Sequence, residues 1–142
     1  MIEQRFSIGI DISADDFYVS LMRFDGKSYV IKGSRKFSNK HKGFVSFLEW
    51  VSKRTKGNEE LFVMEATGVY YEELAYYLHT EGKSVAVTLA NKIKHYAHSL
   101  NVKTKTDKVD AKTIAQFGLE RRPDLWEPMS PELRDLRYLC RE

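Results

Sequence analysis

The chain has 142 residues, 42% of them hydrophobic and 30% charged, and a formal net charge of +3. This length and composition predict one globular domain with a sizeable core and exclude a disordered or fibrous chain. No apolar run is long enough to span a membrane, and no charged leader precedes an apolar segment, so a cytoplasmic protein is expected. A single cysteine, Cys140, excludes an intramolecular disulfide and a zinc-ligand pattern.

Three antiparallel strands are predicted at the start of the chain. Alternating apolar residues indicate strands over residues 6–13 and 17–24. The Asp25-Gly26 pair is typical of a hairpin turn and leads into a third strand, residues 28–37. Asp11 falls near the carboxyl end of the first strand.

Helices and strands then alternate, which predicts an α/β domain. A helix capped by Ser38 or Asn39 comes first, and the continuous apolar run L-F-V-M at 61–64 indicates a central strand covered on both faces. Glu65 lies at the carboxyl end of that strand. A second helix ends at Gly82, and a fifth strand covers residues 84–89. We expect a mixed five-stranded sheet of order 3-2-1-4-5 with flanking helices.

The predicted core combines the apolar faces of these elements. Its expected members are Phe44, Phe47, Leu48, Leu61, Val63, Leu74, Leu78, Val85, Val87 and Ile114. Val51, Tyr71 and Ala75 continue the apolar stripes of the first two helices. A short helix from Ala90 should turn Ile93, Tyr96, Ala97 and Leu100 inward.

Two acids open the fourth predicted helix, which runs to about Glu120 with Thr106 as its N-cap. Asp107 and Asp110 are three residues apart, so a helix brings both carboxylates to one face. The small or apolar residues Ala111, Ile114 and Gly118 extend that face, as in a helix that packs on a core. An ordinary acidic first turn on a solvated helix is the structural alternative.

The domain is predicted to cover residues 1–120. Pro123 and Pro128 indicate a linker over 121–128, because proline interrupts helices. Residues 129–142 would begin a further helical region that looks truncated. Its apolar side, Leu133, Leu136 and Leu139, would suit a homodimer.

Basic residues cluster in two blocks. Residues 23–56 hold ten Lys or Arg against two acids, and residues 92–112 hold six lysines against two acids. The six are Lys92, Lys94, Lys103, Lys105, Lys108 and Lys112. Clusters of this kind are typical of proteins that bind nucleic acid, although solvated lysine-rich faces are also common.

Asp11 and Glu65 end neighbouring strands, and ligands of such sheets gather at that edge. If the helix of Asp107 and Asp110 packs on the sheet, four carboxylates converge there. Oxygen ligands without cysteine or histidine suit Mg²⁺ or Mn²⁺. Taken singly, Asp11 could instead be a structural acid at a strand end, and Glu65 could border a helix N-terminus.

Three motifs together resemble the DEDD-type bacterial insertion-sequence transposases related to the Piv DNA invertase. They are G-I-D-I-S at 9–13, M-E-A-T-G-V-Y at 64–70 and K-T-D-K-V-D-A-K-T-I-A at 105–115. The resemblance implies an RNase H-like, RuvC-type fold with Asp11, Glu65, Asp107 and Asp110 as the acidic tetrad. This chain departs from the family at its Ala-Asn-Pro element, because Lys92 follows Ala90 and Asn91 here.

The same resemblance implies partners and a missing component. Family members act on DNA, are thought to use a structured guide RNA, and carry a nucleophilic serine on a C-terminal domain beyond a coiled-coil-like region. This chain would then lack the serine nucleophile. A RuvC-type Holliday-junction nuclease, an actin-like or sugar-kinase-like ATPase and a non-catalytic nucleic-acid-binding module stay open as alternatives.

Overall fold

The computed structural model describes residues 5–66, 68–100 and 107–128, with the backbone alone at 107–110. Five strands and four helices follow one another in these ranges. They are β1 (Arg5–Ile12), β2 (Asp16–Phe24), β3 (Tyr29–Ser38), α1 (His41–Thr55), β4 (Glu59–Ala66), α2 (Glu72–Thr80), β5 (Ser84–Leu89), α3 (Ala90–Ser99) and α4 (Asp107–Arg121).

The strands form one mixed sheet of order β3-β2-β1-β4-β5, as the sequence predicts. β1, β2 and β3 pair antiparallel, whereas β4 pairs parallel with both β1 and β5. The hairpin at Asp25 is stabilised by its carboxylate, which accepts hydrogen bonds from the backbone N–H groups of Lys27 and Ser28, both at 2.9 Å. The sheet is longer at β4 than predicted, because Glu59 and Glu60 continue the pairing with β1.

An aromatic core fills the space between one face of the sheet and helices α1 and α2. The ring centroid of Phe17 lies 5.6 Å from that of Phe37 and 5.2 Å from that of Phe47. Phe47 in turn contacts Phe62 of the central strand β4 at 5.6 Å. These four phenylalanines are nearly inaccessible to solvent, so the α1 face holds most of the large apolar side chains.

The opposite face of the sheet is covered by α3 and α4, and α4 lies very close to β1. A Cβ atom on Gly9 would meet the carbonyl oxygen of Ala111 and the backbone nitrogen of Ala115, and would lie 2.9 Å from the Cα of Ala115. A Cβ atom on Gly118 would lie 2.6 Å from the Ser7 hydroxyl oxygen. Small residues on both surfaces therefore allow backbone to contact backbone here.

The start of α1 differs from the prediction. The helix begins at His41 with Lys40 as its N-cap residue and has no side-chain cap hydrogen bond, so neither Ser38 nor Asn39 caps it. The amide of Asn39 instead donates to the carbonyl oxygens of Ser13 and Tyr70, at 3.0 and 3.1 Å. Asn39 thus joins two loops that follow β1 and β4.

The predicted core is confirmed for most of its members. Leu48, Leu61 and Val87 are half-buried and pack against the core from its margin. Leu100 was expected to face inward and is exposed at 37%, because it lies one residue beyond the end of α3. Ala97 is half-buried.

Residues 122–128 follow α4 without helix or strand and lie along β5. The backbone N–H of Trp126 donates to the carbonyl oxygen of Val85 at 2.7 Å. The Trp126 ring packs edge-on against Tyr76 and His79 of α2, with centroid distances of 5.0 and 6.2 Å. We call residues 122–128 the β5 strap. The predicted domain boundary at residue 120 stays a prediction, and the predicted helix over 129–142 lies outside the described residues.

Within the described ranges, none of the helices combines the length and apolar character needed to cross a membrane. The cytoplasmic location stays a prediction.

Candidate active site

Asp11 and Glu65 occupy neighbouring positions at the carboxyl ends of two paired strands. Ile10 of β1 lies opposite Met64 of β4 in the parallel register, and the two acids are the next residues in each strand. Both are half-buried. Adjacent strands lie about 4.8 Å apart, so the backbones at these two positions are close neighbours.

Both acids lie on the sheet face that α4 covers. Side chains alternate along a strand, so Asp11 shares a face with Gly9, where a Cβ atom would meet the backbone of α4. Glu65 likewise shares a face with Val63, which packs with Ile114 of α4 in the core cluster of that face. The alternation therefore assigns the two carboxylates to one side of the sheet.

The start of α4 points to the same edge. Ala111 lies over Gly9 and Gly118 lies over Ser7, so α4 runs antiparallel to β1. From Ala111 back to position 107 the helix advances about 6 Å at ~1.5 Å per residue. From Gly9 to Asp11 the strand advances about 7 Å in the same direction, at ~3.3 Å per residue. The backbone at 107 thus lies above the edge that carries Asp11.

Asp107 and Asp110 form the first turn of α4, and their side chains lie outside the described residues. Among the side chains that the structure does describe, no three His, Cys, Asp or Glu groups are close enough to hold a metal ion. Two of the four predicted ligands are therefore placed side by side at one edge, and the other two are located by backbone alone. An oxygen-only donor set of this kind fits a hard divalent cation such as Mg²⁺ or Mn²⁺.

The predicted basic residues are placed unequally. Lys92 and Lys94 are exposed on α3, and Lys112 is exposed on α4. The side chain of Lys108 and all of Lys103 and Lys105 lie outside the described residues, as does the predicted N-cap Thr106.

A groove between α3 and the end of α4 adds two cations that the sequence reasoning assigned to a linker. Lys92 lines it together with Arg121 and Arg122, beside the exposed Asp124. Two consecutive arginines indicate a basic surface in the sequence. Pro123 follows them directly, however, and it favours a linker over the end of a helix. The Arg121 guanidinium lies 5.5 Å from the ring centroid of Tyr96, which directs it toward α3.

Tyr96 is the most strongly perturbed titratable group described on this side of the sheet. Burial between α3 and α4 raises the pKa of its hydroxyl well above the ordinary value, and the nearby Glu120 carboxylate raises it further. The ring packs edge-on against Phe117 at 5.4 Å. Glu120 and Tyr96 lie toward the end of α4 that is remote from Asp11. This pair is therefore separate from the ends of β1 and β4 that carry Asp11 and Glu65, which we call the acidic edge.

Comparison with known proteins identifies the family. The model of the DEDD transposase family, described as a transposase, matches residues 8–142. Pilin gene-inverting proteins of Moraxella lacunata and Moraxella bovis are each 32% identical over 136 residues, which is 95% of this chain. The chain spans 41% of the length of these relatives.

Solved structures confirm the predicted RNase H-like, RuvC-type fold. Thermus thermophilus RuvC is similar with a TM-score of 0.60 and 13% identity, over 84% of this chain and 98% of RuvC. The fowlpox virus Holliday junction resolvase is similar with a TM-score of 0.53 and 12% identity, over 82% of this chain and 99% of the resolvase. At these identities the likeness concerns the fold. The match of the family model over nearly the whole chain shows that the chain belongs to the IS110 family of DEDD transposases.

Proposed function

We propose that this chain is the metal-dependent catalytic domain of a DNA recombinase and that Asp11, Glu65, Asp107 and Asp110 are its catalytic ligands. The carrying observation is the adjacency of Asp11 and Glu65 on the face covered by α4. Membership of the transposase family supports the same assignment.

Each part of the fold has a defined task in this proposal. β1 and β4 hold Asp11 and Glu65 in fixed register, so the two carboxylates need little reorganisation to bind a cation. The contact of Gly9 with α4 fixes the distance between the sheet and the first helical turn. When bound, Mg²⁺ or Mn²⁺ would polarise a phosphoryl oxygen and activate the attacking oxygen in an in-line transfer.

Nucleic acid is the proposed substrate and partner. Lys92, Lys94 and Lys112 are exposed cations on the two helices that flank the acidic edge. Together with Lys103, Lys105 and Lys108 they would neutralise phosphates of DNA and of a structured guide RNA. By the family resemblance, the serine that attacks DNA is supplied outside these 142 residues. A homodimer through Leu133, Leu136 and Leu139 is a further proposal.

Calorimetric titration with Mn²⁺ tests the metal site. Wild type should bind, and Asp11→Asn and Glu65→Gln should each bind at least ten times more weakly, because each removes an anionic ligand. Asp25→Asn is the matched control. Asp25 is exposed and follows Phe24, which pairs with Arg5 at the opposite end of β1 from Asp11. Its binding should equal that of wild type.

The titration also separates the proposal from a structural role of the acids. The affinity for Mn²⁺ should decrease as the pH is lowered through the acid range, since the carboxylate ligands must be deprotonated to bind a cation. Equal Mn²⁺ affinity in wild type and Asp11→Asn would exclude Asp11 from the site. Formation of a covalent protein–DNA product by this chain alone, with family-type DNA, guide RNA and Mg²⁺, would show that the nucleophile lies within the 142 residues.

A further inference from the structure

A basic cleft of about 260 Å³ opens on the α1 face of the sheet, where α1 ends beside the β2–β3 hairpin. Four cationic side chains from three elements line it: Arg23, Lys32, Arg54 and Lys56. No carboxylate lines it within the part of the chain that the structure describes. Arg23 pairs with Phe6 in the register of β1 and β2. Phe6 precedes Asp11 by five residues, or about 17 Å of strand, so the cleft is distant from the acidic edge.

A β-bulge accounts for Lys32. In the pairing of β2 with β3, Leu21 lies opposite Gly33 and Met22 lies opposite Ile31, which leaves Lys32 without a partner. A bulge adds one residue to a strand and turns its side chain out of the regular alternation. The irregularity places Lys32 among the residues that line the cleft.

Arg54 is held in place before any ligand arrives. Its guanidinium carbon lies 4.3 Å from the centre of the Trp50 ring, and its Nη1 donates to the Trp50 carbonyl oxygen at 3.2 Å. A guanidinium fixed in this way loses little conformational freedom on binding an anion. The Nε atom of Arg23 is buried and has no hydrogen-bond acceptor in the described part of the chain, so a ligand oxygen would satisfy an otherwise costly donor.

Local structure explains only part of this charge. Cations at a helix C-terminus stabilise the helix dipole, which accounts for Arg54 and Lys56. It does not account for Arg23 and Lys32, which come from the strands. Two acids outside the lining interact with its residues. The Asp25 carboxylate interacts electrostatically with Arg23 and accepts hydrogen bonds from its own turn. The Glu60 carboxylate accepts from the Thr55 hydroxyl and from Lys83 Nζ, both at 2.9 Å.

We propose that the basic cleft binds the sugar–phosphate backbone of a nucleic acid, at a contact separate from the acidic edge. Its ligand is a phosphodiester, because guanidinium and ammonium donors with no carboxylate among the lining residues match that oxyanion. The cleft would anchor a strand about 17 Å of sheet away from Asp11. The inference goes beyond the proposed catalytic site and rests on the proposed function only in the choice of nucleic acid as the partner.

A charge-matched pair of double variants tests the cleft. Lys32→Gln with Lys56→Gln removes two exposed cleft cations, whereas Lys27→Gln with Lys53→Gln removes two exposed cations from the same basic block outside the cleft. Fluorescence anisotropy measures the binding of a DNA duplex and of an RNA hairpin. Each lost phosphate contact reduces the slope of log affinity against log salt concentration by ~0.9. When salt rises from ~50 to ~200 mM, the factor by which affinity falls should therefore be about 12 times smaller for the cleft variant, which loses two contacts, than for wild type.

The outcomes separate the sources of phosphate and the two proposals. A flattened slope in the cleft variant, with a smaller effect in the control, supports the inference for whichever polymer shows it. Equal effects of both double variants would overturn it, since charge alone would then explain binding. Tight binding of inorganic phosphate that resists competition by either polymer would overturn the nucleic-acid assignment. Mn²⁺ affinity should be the same in all of these variants, so failure at the cleft leaves the metal site untouched.

Discussion

Replacing Gly9 with alanine should destabilise the domain strongly, because the new methyl group points into the backbone of α4. Its Cβ would lie 2.9 Å from the Cα of Ala115 and closer still to the carbonyl oxygen of Ala111. Carbon atoms in contact are ~3.5–4.0 Å apart, so α4 must move away by more than half an ångström along its contact with β1. Overpacking of this kind costs about 1–3 kcal/mol, and a backbone obstacle predicts the upper end.

Urea unfolding followed by tryptophan fluorescence measures the effect. With an m-value of about 2 kcal/mol/M, a loss of ~3 kcal/mol lowers the unfolding midpoint by about 1.5 M. Gly118→Ala is the comparison, because its Cβ would meet side-chain atoms of Ser7 and Val63, both at 2.6 Å, instead of backbone. The helix propensity of alanine also offsets the crowding there by about 1 kcal/mol.

The same substitution tests the geometry of the acidic edge. Displacement of α4 separates its first turn from Asp11, so Gly9→Ala should also weaken Mn²⁺ binding under conditions where it remains folded. An unchanged midpoint in Gly9→Ala would refute the close contact of β1 with α4. Unchanged Mn²⁺ affinity in a destabilised variant would refute the role of α4 in the metal site.

Two further predictions concern the β5 strap and the α3–α4 contact. Trp126→Ala should lower stability by about 1–2 kcal/mol through its lost ring contacts and speed proteolysis of the β5 strap. Leu125→Ala should change neither, because Leu125 is 58% exposed. Equal behaviour of the two variants would show that the ring contacts do not hold the β5 strap in place. Burial and the Glu120 carboxylate raise the pKa of the Tyr96 hydroxyl, so this hydroxyl ionises at a lower pH in the unfolded chain than in the folded one. As pH rises above about 10, ionisation therefore favours the unfolded chain and the contribution of Tyr96 to stability is lost. Tyr96→Phe should therefore flatten the alkaline decrease of the urea midpoint, and an identical decrease in both proteins would contradict this assignment.

The sheet order could be predicted because each strand carries a local signal. Asp25 and Gly26 fix the hairpin, and the continuous apolar run at 61–64 identifies the strand covered on both faces. The α4 interface was harder to predict. Ser7, Gly9 and Ser20 are not apolar, so the pattern gives no sign that their face is buried, yet all three are covered in the structure.

The acidic edge was predictable only in part. The carboxyl ends of parallel neighbours meet at one edge, which brings Asp11 beside Glu65. The basic block at 23–56 is visible in the sequence, but the convergence of four of its cations into a cleft was not predictable, because it depends on the register shift that leaves Lys32 unpaired. The packing of Trp126 was missed for a related reason, since one aromatic residue in an irregular segment has no periodicity.

The two outermost strands of the sheet, β3 and β5, are protected from pairing with additional strands by different means. The β5 edge is occupied by the chain itself, through the hydrogen bond from Trp126 to Val85. The β3 edge has no neighbouring strand in the described structure and includes Ile31, which is 43% exposed. Charge and irregular pairing are what protect such an edge from self-association. Lys32 and its bulge thus have a second consequence: replacing the lysines of β3 with β-branched residues would favour aggregation during expression, even where the domain still folds.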